Sequence, residues 1–248
     1  MIPIGDDVPS ARTPIATYVL LGLIGAAWVL LQGAGFDAAR LIASVCNLGL
    51  VPGEITHLAP VGTAVEVAPD ALCVVDADRI NYLTPLSSMF LHGSWAHLLG
   101  NAIFLWVFGR HVEDRMSTLR FAALYLLCGL AAAAAQVAIA PSSPVPIVGA
   151  SGAISAVMGA YLVIHPRARV RMFFVFIIFF RVIALPAWIV LLYWFGLQVL
   201  VALPQLVGAQ RAVTSGVAVV AHVGGFIAGA FLAYAMHPPH RSVTTISR

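Results

Sequence analysis

The chain has 248 residues, 61% hydrophobic and only 9% charged. A soluble domain carries roughly 25% charged residues, so this chain has too few charges to cover a water-facing surface, which excludes an ordinary soluble domain and indicates an integral membrane protein. The net charge of +3 says little by itself, and no nucleic-acid partner is expected; all 13 basic residues are arginines, and their positions carry more information than their sum.

The opening MIPIGDDVPSARTP contains acids, and no small-residue cleavage site follows an early apolar run, so it is not read as a signal peptide. A spanning helix needs about 20 apolar residues. The sequence predicts six, over about 14–33, 93–110, 119–140, 151–165, 184–203 and 217–236. A loop over about 36–90, rich in Pro, Gly and acids, follows the first. Cys46 and Cys73 share that loop and would pair only if it faced an oxidising compartment; two free thiols are the favoured reading. The apolar stretch MFFVFIIFFRVI (172–183) is short and contains Arg181, and is read as an interfacial or re-entrant piece, not a seventh span. The fold expected is an all-α membrane protein, one domain over 1–248.

Six spans put both termini on one side. That side would hold Arg12, Arg110, Arg115, Arg120, Arg167, Arg169, Arg171, Arg181, Arg241 and Arg248, against Arg40, Arg79 and Arg211 on the other. The arginine-rich side should be cytoplasmic. The long loop, with Asp37, Glu54, Glu66, Asp70, Asp76 and Asp78, then lies outside. Glu113 and Asp114, beside Arg110 and Arg115, read as a structural ion-pair cluster on the inner side.

Spans two, four and six begin on the outer side, and each carries polar residues near that start. Span two opens with HGSWAHLLGN, which holds His92, His97 and Asn101; span four begins at Ser151 in GASGA; span six contains His222 in AHVGG. The fourth helix would be only about 22 Å long, shorter than a hydrocarbon core of about 30 Å. Ser151 is therefore expected to sit below the outer surface, reached by PSSPVPIVG dipping inward. Irregular backbone at that depth must line protein or a wet cavity.

Each of these residues has a bland reading. A lone serine in a span usually bonds back to its own helix, His222 could be interhelical glue, and Gly225 and Gly229 form a G-x-x-x-G that by itself signals close helix packing. His97 and Asn101, four apart on one face, could also be glue, and His92 an interfacial residue. Ser151, however, stands at a helix start between Gly149 and Gly152, where unpaired N–H groups suit a developing oxyanion. Packing of spans four and six through Gly152, Gly225 and Gly229 would bring His222 to Ser151. No acid lies in or beside those spans, so a Ser-His dyad is what remains. A low-dielectric site disfavours charge, and a general base must start unprotonated. No metal site is completed, and no cofactor is called for.

HGSWAHLLGN, GASGA and AHVGGFIAG, in that order on helices two, four and six, resemble the rhomboid intramembrane serine proteases. The likeness extends to the opening segment, to GLVPGEIT, FGRHVEDRM and HPRARV, and to FFRVIALPAWIVL. It looks like a bacterial member with the minimal six-helix core, which implies an inner-membrane protein with cytoplasmic termini acting on transmembrane protein substrates in the lipid bilayer. By position, the resemblance makes Ser151 the nucleophile and His222 its base. His97 and Asn101 would join the Ser151 N–H in stabilising the oxyanion, and His92 would be an auxiliary residue. Some members stack an aromatic residue on the base from the fourth position after the nucleophile; here that position is Ser155. The outer-loop Trp-Arg pair of some members is also missing. The alternatives are a non-catalytic rhomboid-like protein that steers membrane clients, and a channel, transporter or haem protein using the same histidines.

Overall fold

The computed structural model describes residues 2–69, 71–176, 179–208 and 218–236. Asp70, Arg211, Arg241 and Arg248, which entered the charge count, lie outside the described residues. The chain is mostly helical. It starts with a strand β1 (Ile2–Gly5) and a helix α1 (Ile15–Ala26) that continues as a π-helical turn over Ala27–Leu31. The predicted loop is built from α2 (Ala38–Leu48), α3 (Pro52–Thr56), an antiparallel pair β2 (Ala64–Ala68) and β3 (Ala71–Val74), and a short α4 (Thr84–Ser87). Then come α5 (Trp95–Phe104), a π turn over Leu105–Gly109, α6 (Arg110–Met116), α7 (Thr118–Ile139) and α8 (Ser151–Ile164). Strands β4 (Arg169–Phe176) and β5 (Phe179–Pro186) precede α9 (Ala187–Leu206) and α10 (Val219–Met236).

Proline punctuates the spans. Helix α7 stops before Pro141, α8 before Pro166, and α9 begins after Pro186, as expected of a residue that lacks an N–H and disfavours helix in the residue before it. Among the described residues, α7, α9 and α10 are long and apolar enough to cross a membrane; Ile15–Leu31 and α8 are apolar but shorter.

Helix α8 is the centre of the bundle. Every residue from Ala153 to Tyr161 on it is buried, so it is apolar on all faces, as a helix ringed by others must be. It meets α10 backbone to backbone. A Cβ on Gly225 would strike the carbonyl oxygen of Gly152, one on Gly229 that of Ala156, and one on Gly159 that of Phe226. The predicted small-residue seam of spans four and six is this contact, which dispersion alone can hold only at such close approach.

Several expectations change. The fold is not wholly helical: 172–176 and 179–183 lie in the antiparallel strands β4 and β5, and β1 adds to β4 as a third strand. Aromatic and β-branched residues at high density favour a strand, and Phe173 stacks on Phe180 at 5.8 Å. Cys46 and Cys73 form a disulfide that ties α2 to β3, in place of the free thiols expected. The acids after span two also bind backbone. Glu113 accepts the N–H groups of Ala16 and Thr17, each at 2.8 Å, and the Thr17 hydroxyl, while Asp114 accepts those of Ala11 and Arg12. Glu113 thus satisfies orphan N–H groups in the first turn of α1, and Asp114 fastens the segment before it. Asp6 is the acid that gathers charge: His111 lies 2.9 Å and Arg110 3.9 Å away, and Tyr161 of α8 donates its hydroxyl at 2.7 Å. Burial opposes the Asp6 charge, but the His111 and Tyr161 hydrogen bonds hold its carboxyl below the usual value.

Candidate functional site

The irregular segment before α8 sets the position and direction of Ser151. It is fastened to the 36–90 region by a bridge between Leu50 and Ile147, and by Gly53 N–H to the Ser143 carbonyl and Gly149 N–H to the Ser88 carbonyl, both at 2.9 Å. Gly149 takes φ +136°, and a Cβ there would lie 2.8 Å from the His97 ring. Only glycine allows both that backbone and that ring position. Ser151 is then the first residue of α8, and no side chain caps the helix start. Its first-turn N–H groups are therefore free to serve a ligand.

Ser151 Oγ lies 2.7 Å from His222 Nε2. Helix α10 presents His222 one turn before Gly225, so the α8–α10 seam fixes this distance through backbone contacts. The other ring nitrogen, Nδ1, lies 2.9 Å from Gln198 Oε1 of α9. Trp194, one turn earlier on α9, has its ring 6.0 Å from the imidazole. The aromatic neighbour of His222 thus comes from α9 and not from the Ser155 position, where the hydroxyl bonds back to the Ser151 carbonyl at 2.6 Å.

His97 and Asn101, with Ser151 and His222, line one cavity of about 500 Å³. Ser94 caps α5 by accepting the His97 N–H, and the i, i+4 spacing puts His97 and Asn101 on the same face. Asn101 Nδ2 lies 2.9 Å from His92 Nε2. An amide carries two N–H groups, so one can bind His92 while the other faces the cavity. His92 is fully buried, not interfacial. Its backbone is gripped by Gln32: the His92 N–H donates to Oε1 at 2.9 Å, and Nε2 donates to the His92 carbonyl at 2.7 Å. Small apolar residues, among them Ala132, Gly152, Ala153 and Ala221, form part of the cavity wall, beside larger and polar ones such as Phe104, Met158, Gln136 and Gln198.

The structure thus brings together Ser151, His222, His97 and Asn101, with His92 behind Asn101, Gly149 against the His97 ring, and Gly152, Gly225 and Gly229 in the α8–α10 seam. Gln198, Trp194 and Gln32 were missed. Gln198 had a signal, since it is the one amide in an otherwise apolar stretch from Ala187 to Leu203, and an amide at membrane depth needs a partner. Chemically, the arrangement offers a hydroxyl bonded to an imidazole, with N–H donors around an adjoining space, the parts needed for acyl transfer.

The rhomboid domain family model matches residues 80–239. The chain is 32% identical over 154 residues to the rhomboid protease GluP of Bacillus subtilis (strain 168), a stretch covering 62% of this chain and 26% of that protein. It is 34% identical over 77 residues to RHOMBOID-like protein 5 of Arabidopsis thaliana, covering 31% of this chain and 25% of that one. The chain therefore spans about a quarter of the length of either relative. On the extent of the domain match, with these helices and this cavity, the chain belongs to the rhomboid family of integral membrane proteins.

Proposed function

We propose that the protein is an intramembrane serine endopeptidase that hydrolyses peptide bonds in or near the transmembrane helices of other membrane proteins. The observation that carries this reading is the 2.7 Å contact between Ser151 Oγ and His222 Nε2 beside a cavity at a helix start. His222 Nε2 accepts the Ser151 proton as Oγ bonds to the scissile carbonyl carbon. The oxyanion is met by the Ser151 N–H, the free Asn101 N–H and His97. The imidazolium then gives its Nε2 proton to the leaving amine nitrogen, and the C–N bond breaks. Water repeats the sequence: its proton goes to Nε2, its oxygen attacks the ester carbon, and Ser151 Oγ leaves and regains a proton. The substrate segment must unwind first, because a helical carbonyl is enclosed by its own hydrogen bonds.

The topology proposed is six spans, with the short helices Ile15–Leu31 and α8 and the α5–α6 run joining the three long ones, and with both ends of the chain in the cytoplasm. Two features support it: the arginine bias, and the Cys46–Cys73 disulfide in the region after α1, a bond that persists in oxidising compartments. A bacterial plasma membrane fits both. The test is cleavage of a transmembrane reporter by reconstituted protein. Ser151→Ala and His222→Ala are expected to abolish cleavage with unchanged melting temperature; cleavage at the wild-type rate by either variant contradicts the proposal.

A further inference from the structure

We propose that Gln198 is a positioning residue that selects the tautomer of His222, its amide oxygen holding the Nδ1 proton so that Nε2 is left bare toward Ser151. This rests on the protease reading of the site. A neutral imidazole has one N–H and one lone pair. For the Ser151 hydroxyl to donate to Nε2 at 2.7 Å, the lone pair must be there and the proton on Nδ1. That N–H points at Gln198 Oε1, 2.9 Å away. The hydrogen bond at one ring nitrogen decides what the other can do. With the proton on Nε2 instead, the ring could not accept from serine, and catalysis would need a tautomer exchange first.

The choice of an amide follows from the setting. A carboxylate in this role would be a charge within a membrane helix, where burial is costly; an amide is neutral and still accepts. No Asp or Glu lies anywhere in α8, α9 or α10. The proton count is unchanged through a cycle: Nδ1–H stays on Gln198 Oε1 while Nε2 alone gains and loses a proton. Trp194, four residues earlier on the same face of α9, flanks the ring that Gln198 holds.

The test uses the full chain labelled with 15N-histidine in a bilayer, with His222→Ala assigning the resonances. The expected wild-type spectrum has His222 protonated at Nδ1 and bare at Nε2. Gln198→Leu, a shape the lipid-facing helix tolerates, is expected to give a mixture of tautomers. Its kcat on a transmembrane reporter should fall on the order of 10- to 100-fold, with KM changed by less than about threefold. Gln198→Glu restores an acceptor and is expected to recover the Nδ1 tautomer and most of kcat. A wild-type proton on Nε2, or a Gln198→Leu protein with unchanged tautomer and unchanged kcat, overturns the proposal. Because the spectrum needs no turnover, the two readings separate: an Nδ1 tautomer that depends on Gln198, in a protein that cleaves nothing, contradicts the protease and still supports Gln198 as the tautomer-setting group.

Discussion

Helices α8 and α10 touch through their backbones, with glycine against carbonyl at three levels. Helix α9 reaches the same site through side chains, Gln198 and Trp194. It is also the most exposed of the three long apolar helices, with 17% of its apolar window buried against 39% for α7 and 33% for α10. The two contacts do different work. The backbone seam sets where Ser151 and His222, the proposed nucleophile and base, stand, which side-chain motion cannot change. The α9 side chains set how the imidazole is turned and protonated, which a small shift of α9 would alter. Position and orientation are thus assigned to separate helix pairs, and substitutions can address them separately.

The largest effect should come from breaking the seam. Gly225→Leu places a branched side chain where the Gly152 carbonyl stands. Overpacking costs about 1–3 kcal/mol, and a misplacement of about 1 Å at reacting atoms can cost on the order of 100-fold in rate. Reporter cleavage is expected to fall at least that far, with a lower melting temperature. Cleavage at the wild-type rate would mean that the seam does not hold the site.

The far end of α8 gives a comparable effect on stability alone. Tyr161 anchors α8 to Asp6, which also faces His111 and Arg110. Asp6→Asn breaks a buried charged network and should cost about 3 kcal/mol near neutral pH. The sign with pH follows from the lowered carboxyl value. A depressed acid stabilises the fold above its unfolded value and loses that contribution as pH falls through the folded one. Melting curves of the wild type and Asp6→Asn should therefore converge only below the ordinary carboxylate range, while kcat below the melting temperature differs little.

Next come the proposed oxyanion donors, which sharpen the orientation half of the comparison. Asn101→Ala should lower kcat by on the order of 100-fold, about 3 kcal/mol, and leave KM and melting nearly unchanged. His92→Ala acts through Asn101, to which its ring is bonded, and through His97, on which it packs, and should cost roughly tenfold or less in the same assay. The smallest effect is expected for Trp194→Leu, which removes a ring contact worth about 0.5–1.5 kcal/mol, a loss of several-fold in kcat. A larger loss than Asn101→Ala would show that α9 positions the base as well as orienting it.

Much of this was readable from residue pattern because membrane helices obey a strict length and polarity rule. Span four was expected from residue 151, where α8 begins, and span three over 119–140, against Thr118–Ile139. Serine and histidine stood out because polar residues are rare in apolar helices, and the glycines because they recur at the spacing of a close helix seam. The hairpin was hidden for the opposite reason. MFFVFIIFFRVI has neither alternation nor a Gly, Asn, Asp or Pro to mark a turn, so periodicity could not separate strand from helix. The disulfide depends on two cysteines 27 residues apart meeting across a fold, which spacing does not reveal. Gln198 is neutral, so the lack of any acid in α8, α9 and α10 hid the partner of His222. An amide serves where a charge would be too costly.

The most direct test of the central claim, a serine activated by a histidine, is peptide-level mapping of a fluorophosphonate adduct on the membrane-reconstituted protein. The account predicts a single adduct, on Ser151, formed by the wild type and lost in His222→Ala. An adduct on another residue, or labelling of His222→Ala at the wild-type rate, would contradict it.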